Sequence, residues 1–91
     1  MITVRNAEDR GRYEALEDGE LIAVADYRIN GDTVVFPHTV VVPSRRGEGI
    51  GEQLVQGALD DVRQSGRKVV PACWFVAEFL ELHPEYADLA A

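Results

Sequence analysis

The chain carries a single cysteine, Cys73, among its 91 residues, so no internal disulfide can hold it together. One thiol fits a reducing compartment, and a cytoplasmic location is expected. No stretch approaches the roughly 20 apolar residues that a membrane-spanning helix needs. The N-terminal run MITVRNAEDRGR likewise lacks the apolar core of a signal peptide. Positive charge is scarce, with 9 Lys and Arg against 16 Asp and Glu, a net charge of −7. Such a chain repels nucleic-acid phosphates and offers no polybasic surface to anionic lipid. Neither nucleic acid nor membrane is therefore expected as a partner. Repeats, low-complexity segments and linkers are absent too, which leaves one domain over residues 1–91, expected to be a monomer.

What is present is a modest globular core: 46% of the residues are apolar. The first half reads as strands. YEAL at 13–16, LIAVADYRI at 21–29 and the run TVVFPHTVVVP are separated by Asp18-Gly19 and Asn30-Gly31, both strong hairpin signals. Three antiparallel strands in a meander follow, and ITV near the start adds a short fourth.

After residue 43 the period changes. Ile50, Leu54, Val55, Ala58, Leu59 and Val62 recur as one face of a helix, with Asp60, Asp61, Arg63 and Gln64 opposite. Gly66 is placed to end it as a left-handed cap. KVVPAC is a short buried strand, and WFVAEFLELH returns to helical spacing through Phe75, Phe79 and Leu82 until Pro84 stops it. A strand–helix–strand step with a helix this long implies a parallel pair, between residues 34–42 and 68–72. The fold class is therefore α/β (α+β): a mixed, mainly antiparallel sheet with one β-α-β parallel step.

The stretch PSRRGEGIGEQLV, residues 43–55, places three glycines and two arginines directly before the first helix. A helix N-terminus leaves its first N–H groups unpaired and carries partial positive charge. Glycines let the preceding backbone turn so that several N–H groups converge, and such a nest binds phosphate or pyrophosphate. Gly47, Gly49 and Gly51 supply the freedom, and Arg45 and Arg46 the charge. The spacing is neither that of a Walker A loop nor the dinucleotide fingerprint G-x-G-x-x-G. On physics alone the stretch is either an anion site or a plain glycine-rich turn.

These residues carry a resemblance. Arg46-Gly47-Glu48-Gly49-Ile50-Gly51 is similar to the R/Q-x-x-G-x-G/A pattern of the GNAT superfamily of acetyl-CoA-dependent N-acetyltransferases, and it falls where that family has it, after a long strand and at the head of a helix. The chain resembles the minimal branch of the superfamily, about ninety residues long, through HTVVVPSRRGEGIGEQLVQGALDD, KVVPACWFV and HPEY. The resemblance implies a truncated GNAT-like core that takes acetyl-CoA or coenzyme A, a small-molecule acyl-CoA, and passes acetyl to an amine the sequence does not name. The other reading is a module that binds coenzyme A or acyl-CoA without turnover. By resemblance, the amides and side chains of Arg45, Arg46, Gly47, Glu48, Gly49, Ile50 and Gly51 hold the diphosphate. Val40, Val41 and Val42 line the pantetheine arm, in a gap where two parallel strands splay. Pro71, which has no N–H to continue a ladder, gives a physical reason for the splay.

Two residues are candidates for the chemistry. His38 lies five residues before Pro43, roughly 16 Å at about 3.3 Å per residue, which is the depth expected of the thioester. A histidine there can accept a proton from the amine, or it can be a hydrogen-bonded core or edge residue. Cys73 stands at the head of the last helix, where thiolate, the nucleophilic form, is favoured. It accepts the acetyl group, contacts the coenzyme or simply packs. Tyr86 is a weaker candidate for protonating the leaving thiolate. His83 reads as a helix-end residue, and Trp74 and Phe75 read as core. Large relatives carry an N-terminal helical pair and a C-terminal strand pair that shape the acceptor site, and this chain has room for neither.

Overall fold

The computed structural model describes residues 1–91. A five-stranded sheet has the order β1 (Ile2–Ala7), β2 (Arg12–Glu17), β3 (Glu20–Asn30), β4 (Thr33–Val41), β5 (Lys68–Val70). The first four strands are antiparallel neighbours, and β4 and β5 are parallel. Helix α1 (Ile50–Ser65) crosses between them, and α2 (Trp74–Leu82) follows β5. The mixed sheet with one parallel step is the fold class expected from the sequence. No helix is long and apolar enough to cross a membrane.

The turns act through backbone conformation. Asp18 and Gly19 both take φ > 0, as a two-residue primed turn requires. Asn30 instead pairs with Thr33 and closes β3, so Gly31 and Asp32 form the second tip and only Gly31 is left-handed.

Helix α1 buries all six residues of its expected face, Ile50, Leu54, Val55, Ala58, Leu59 and Val62. Beneath it lie small residues, Ala15, Ala23 and Ala25, which let the helix settle close to the sheet. Gly57 serves the same end, because a Cβ there would meet Val4 at 2.9 Å. Gly66 caps the helix at φ 79, donating its N–H to the Arg63 carbonyl.

Helix α2 departs from the expected face. Val76 and Phe79 are buried and Leu82 is exposed, because the inward stripe starts at Cys73, steps of three fall short of the 3.6-residue turn, and the third step to Leu82 has rotated off the buried face. A 3-10 segment (Pro84–Leu89) then folds back, burying Tyr86 and Leu89. Arg63 grips Asp88 and the Glu85 carbonyl, and Ala91 donates to the Val69 carbonyl, so the chain end covers the outer edge of β5.

One irregularity positions everything that follows. Asp26 pairs with His38 and Arg28 with Val35, so Tyr27 alone faces both Phe36 and Pro37. This is a β-bulge, the place in a ladder where a proline without an N–H is tolerated. An extra residue reverses which side of the sheet each later side chain faces. Before the bulge Val34 and Phe36 are buried toward α1. After it Thr39 and Val41 take that side, opposite buried Ala25 and Ala23, while His38 and Val40 turn to the uncovered face.

Candidate functional site

The parallel ladder is short. It pairs Thr33, Val34 and Val35 with Lys68, Val69 and Val70, and stops immediately before Pro71. The parallel pair therefore lies at the start of residues 34–42 and not along their length. Pro71 cannot donate, and Ala72 turns its N–H back to the Val70 carbonyl at 3.0 Å. One further bond, Cys73 N–H to the Phe36 carbonyl at 2.8 Å, ties α2 to the bulge. Beyond it β4 has β3 on one side only, so alternate backbone groups from His38 to Val41 face an open edge.

That edge is one wall of a cleft of about 520 Å³. Thr39, Val40 and Val41 form the strand wall, and Cys73, Trp74 and Phe75 at the head of α2 form the other. The end is closed by Arg45, Arg46, Gly47, Gly49, Ile50 and Gly51, with Glu52 on the rim. Most of the residues singled out from sequence thus meet in one place. Four do not line it: His38, Val42, Glu48 and Tyr86.

The glycine loop has the geometry of an anion nest. After Val42 the chain makes a 3-10 turn (Pro43–Arg45), and Gly47 and Gly49 then take φ 86 and 79, conformations that side chains resist. Gly51 is needed for a different reason, since a Cβ there would lie 2.8 Å from the Phe75 ring. Gly49 is the N-cap of α1, and no side chain caps the helix. None of the N–H groups from Gly47 to Glu52 donates to a protein acceptor. Six successive amides are therefore free for a ligand at the positive end of a sixteen-residue helix.

The two arginines have separate work. Arg45 reaches Glu17 at 2.7 Å and Glu48 at 2.9 Å, which pins the loop to the end of β2. Its hydrogen bonds to Glu17 and Glu48 hold the guanidinium protonated still more firmly than usual, and the Glu17 carboxyl is held below its ordinary range by the same contact. Arg46 is exposed and its side chain makes no ion pair or hydrogen bond, so its charge is available. Glu48 serves as a clamp for Arg45 and lies outside the cleft wall.

Cys73 is the N-cap of α2, 6% exposed, with its thiol 3.8 Å from the Thr39 hydroxyl across the cleft. His38 lies on the other face of the sheet. Its side chain is 59% exposed, and Nε2 meets an Asp26 carboxylate oxygen at 2.6 Å. The bulge at Phe36-Pro37 is the reason: it puts Thr39, not His38, toward the cleft. Tyr86 is remote as well, donating to Asp60 at 2.7 Å under Arg63. Burial first, then that hydrogen bond, pushes its hydroxyl up to about 12. His83 stacks on Phe79 with ring centroids 4.0 Å apart at the end of α2.

Sequence reading missed four cleft residues, Thr39, Glu52, Trp74 and Phe75. Thr39 was hidden by the bulge, although Pro37 inside a strand is its signature. Trp74 and Phe75 read as core, yet Trp74 is 73% exposed at the cleft mouth and only Phe75 is partly buried.

Comparisons with known proteins agree with this architecture. The family model described as GCN5-related N-acetyl-transferase matches residues 12–89. A search of curated proteins returned no match. Among solved structures, a GCN5-like protein from Staphylococcus aureus is similar over 98% of this chain and 87% of its own, with 21% identity and a TM-score of 0.74. The ribosomal-protein-S18-alanine N-acetyltransferase from Escherichia coli is 19% identical with a TM-score of 0.60, over 64% of this chain and only 38% of that enzyme. An N-acetylglutamate synthase from Neisseria gonorrhoeae, solved with coenzyme A and N-acetyl-glutamate, is 21% identical with a TM-score of 0.58, over 75% of this chain and 18% of the synthase. The chain thus spans well under half of the two larger enzymes. With the family model covering most of the sequence, the chain belongs to the GCN5-related N-acetyltransferase family.

Proposed function

We propose that the protein binds acetyl-CoA in the cleft between β4 and α2 and transfers its acetyl group to an amine. The observation that carries this reading is the run of six unpaired amides at the head of α1, opening onto a cleft one strand long. The amides of Gly47 to Glu52 would take the diphosphate, with the unpaired Arg46 side chain as the counter-charge. The open edge of β4 from His38 to Val41 would pair with the amides of the pantetheine arm. Arg45 and Glu48 keep the loop shaped, and Val42 anchors the end of the strand through its N–H to the Ile22 carbonyl.

Thr39 and Cys73 then flank the thioester. Two routes use this geometry. In the direct route the amine nitrogen attacks the thioester carbonyl, the C–N bond forms, the C–S bond breaks, and the ammonium proton passes to the departing coenzyme thiolate. In the covalent route the Cys73 thiolate attacks first and forms an acetyl-cysteine. The coenzyme thiolate leaves and takes up the proton that Cys73 gave; the amine nitrogen then attacks the acetyl-cysteine carbonyl, the C–N bond forms, the C–S bond to Cys73 breaks, and the ammonium proton returns to the Cys73 thiolate. The second route is favoured by one observation: Cys73 is the sole nucleophilic side chain in the cleft lining apart from the Thr39 hydroxyl it faces. His38 has no part in either route, because it stands on the other face of the sheet with Asp26.

The second reading is a coenzyme-binding module without turnover. It is favoured by the absence of any histidine from the cleft lining, whose one carboxylate is Glu52 on the rim. Calorimetric titration with coenzyme A tests both readings, and failure to bind at high micromolar concentration overturns them together. Radiolabelled acetyl-CoA then separates them. Label retained on the wild type and lost in Cys73→Ala supports the covalent route. Label passed to no amine of a broad panel, with thioester loss at the background rate, leaves the binding module.

A further inference from the structure

Trp74 is the bulkiest apolar side chain that the fold leaves uncovered, and it lines the cleft while 73% exposed. The other large apolar residues more than half exposed, Met1, Ile29 and Leu82, lie outside the cleft. A solvent-facing indole inside a cleft marks a binding surface, whereas single exposed aliphatic residues need no explanation.

Its two chain neighbours fix its depth. Cys73 brings its thiol to 3.8 Å from the Thr39 hydroxyl, at the reacting end of the cleft. Phe75 packs its ring on Gly51 of the glycine loop, so closely that a Cβ on Gly51 would lie 2.8 Å away. Successive residues at the head of α2 point about 100° apart, so Trp74 is aimed between its neighbours. The indole stands edge-on to Phe75, with ring centroids 5.8 Å apart at 80°, which draws it toward the loop. It therefore flanks the stretch between the Thr39–Cys73 pair and the glycine loop, on the loop side. An aromatic braced before the ligand arrives costs little to order on binding.

In the coenzyme reading that stretch holds the pantetheine arm. Thr39 precedes Pro43 by four positions, roughly 13 Å at about 3.3 Å per residue, and the arm runs along it. Most of the arm is polar, two amides on short ethylene links, and these face the open edge of β4. Its one compact apolar group is the pair of methyls on the pantoyl part, a few bonds from the diphosphate. The strand wall is apolar at the same depth, because Val41 lies two residues nearer the loop than Thr39 and on the same side of the sheet. We infer that Trp74 packs on the pantoyl methyl groups and roofs the arm, so that the cleft selects its ligand by the pantetheine as well as by the diphosphate. The inference rests on the coenzyme reading of the loop. Adenosine is attached at the other end of the diphosphate, so an indole stacked on adenine makes a different prediction.

Calorimetric dissociation constants for coenzyme A and for 3′-phospho-ADP, which is the coenzyme without its pantetheine, test the assignment without knowledge of the acceptor. Covering one or two methyl groups at about 0.8 kcal/mol each corresponds to about four- to fifteenfold in affinity. Trp74→Ala should weaken coenzyme A by that factor and leave 3′-phospho-ADP within about twofold, and Trp74→Phe should recover part of the loss. Equal weakening of both ligands places the indole on the adenine and overturns the inference, as does an unchanged coenzyme affinity in Trp74→Ala. Trp74 is the sole tryptophan, so the wild type supplies a second reading should the variant fail to fold. Its emission should move to shorter wavelength with coenzyme A and stay in place with 3′-phospho-ADP. A shift with both ligands, or with neither while coenzyme A binds, overturns this inference alone. Failure of coenzyme A to bind the wild type overturns it together with the coenzyme reading.

Discussion

The β1–β2 corner and the glycine loop are both rich in charge and polar backbone, yet they treat it in opposite ways. At the corner Glu14 is 1% exposed and is held by Arg5, Arg12 and Arg10 at 2.8, 2.8 and 3.5 Å. No buried side-chain nitrogen or oxygen anywhere lacks a partner. In the loop six consecutive amides and the Arg46 guanidinium have none. A folded chain leaves polar groups unpaired where water or a ligand completes them, and pairs the rest. The corner is therefore read as architecture and the loop as binding surface. Perturbing each should move different observables.

The largest effect is expected at the corner. Burial alone would push the Glu14 carboxyl up, but hydrogen bonds from Arg12 and Arg5 outweigh it and hold it below the ordinary 4.5. A carboxylate stabilised in the folded state contributes stability that is present above about 4.5 and is lost as pH falls through the lower, folded-state value. Glu14→Ala should cost about 2–3 kcal/mol in urea unfolding at pH 7, less than a fully buried pair because the arginines can return to water. Coenzyme affinity should stay unchanged. Glu14→Gln should in addition flatten the acid decline of the unfolding midpoint. If Glu14→Ala weakens coenzyme binding instead, the corner is not mere architecture and the contrast between the two regions fails.

Next in size is Arg46→Ala. The Arg46 side chain has no intramolecular partner to lose, so the unfolding midpoint should not move. Loss of a charge-assisted contact to the diphosphate should weaken coenzyme binding by about 1–2 kcal/mol, five- to thirtyfold in Kd. The difference should shrink as salt is raised. An unchanged Kd by calorimetry removes Arg46 from the site.

The same contrast explains what was readable from sequence. Local rules carried the fold. Asp18-Gly19, the apolar period from Ile50 to Val62, Gly66 and Pro84 each act through their own backbone or one helix face, and each stands where pattern places it. The loop was legible for the same reason, since glycine freedom and a helix start are local. The depth of the site was not. Counting residues along β4 put His38 at the thioester, but a single bulge opposite Tyr27 turned that side chain away and brought Thr39 to Cys73. Facing is a property of pairing register, which depends on β3 as much as on β4. Trp74 escaped notice for a related reason. Whether an aromatic at a helix head is core or rim depends on the three-residue length of β5, and that is set by where the ladder with β4 ends.

The smallest effect, and the one that divides the loop from within, concerns Arg45. It is adjacent to Arg46 and equally charged, so sequence gives the two the same role. Structure assigns Arg45 to Glu17 and Glu48, with its side chain 27% exposed. Partly exposed pairs of this kind are worth under about 1 kcal/mol, so Arg45→Ala should shift the unfolding midpoint only slightly. It should weaken coenzyme binding by about 0.5–1 kcal/mol, two- to fivefold, because a loop freed from β2 has more to order when it closes on the diphosphate. A clamp and a ligand contact differ in their coupling to Glu48. If Arg45 is a clamp, removing Glu48 takes away part of what it holds, and Arg45→Ala should matter less in a Glu48→Gln background. If Arg45 binds the diphosphate, Glu48→Gln releases it for that purpose, and Arg45→Ala should matter more. A double-mutant cycle on Kd reads the sign of that coupling. A larger loss in the Glu48→Gln background would place both arginines on the ligand and extend the open, unpaired character of the loop one residue closer to β4.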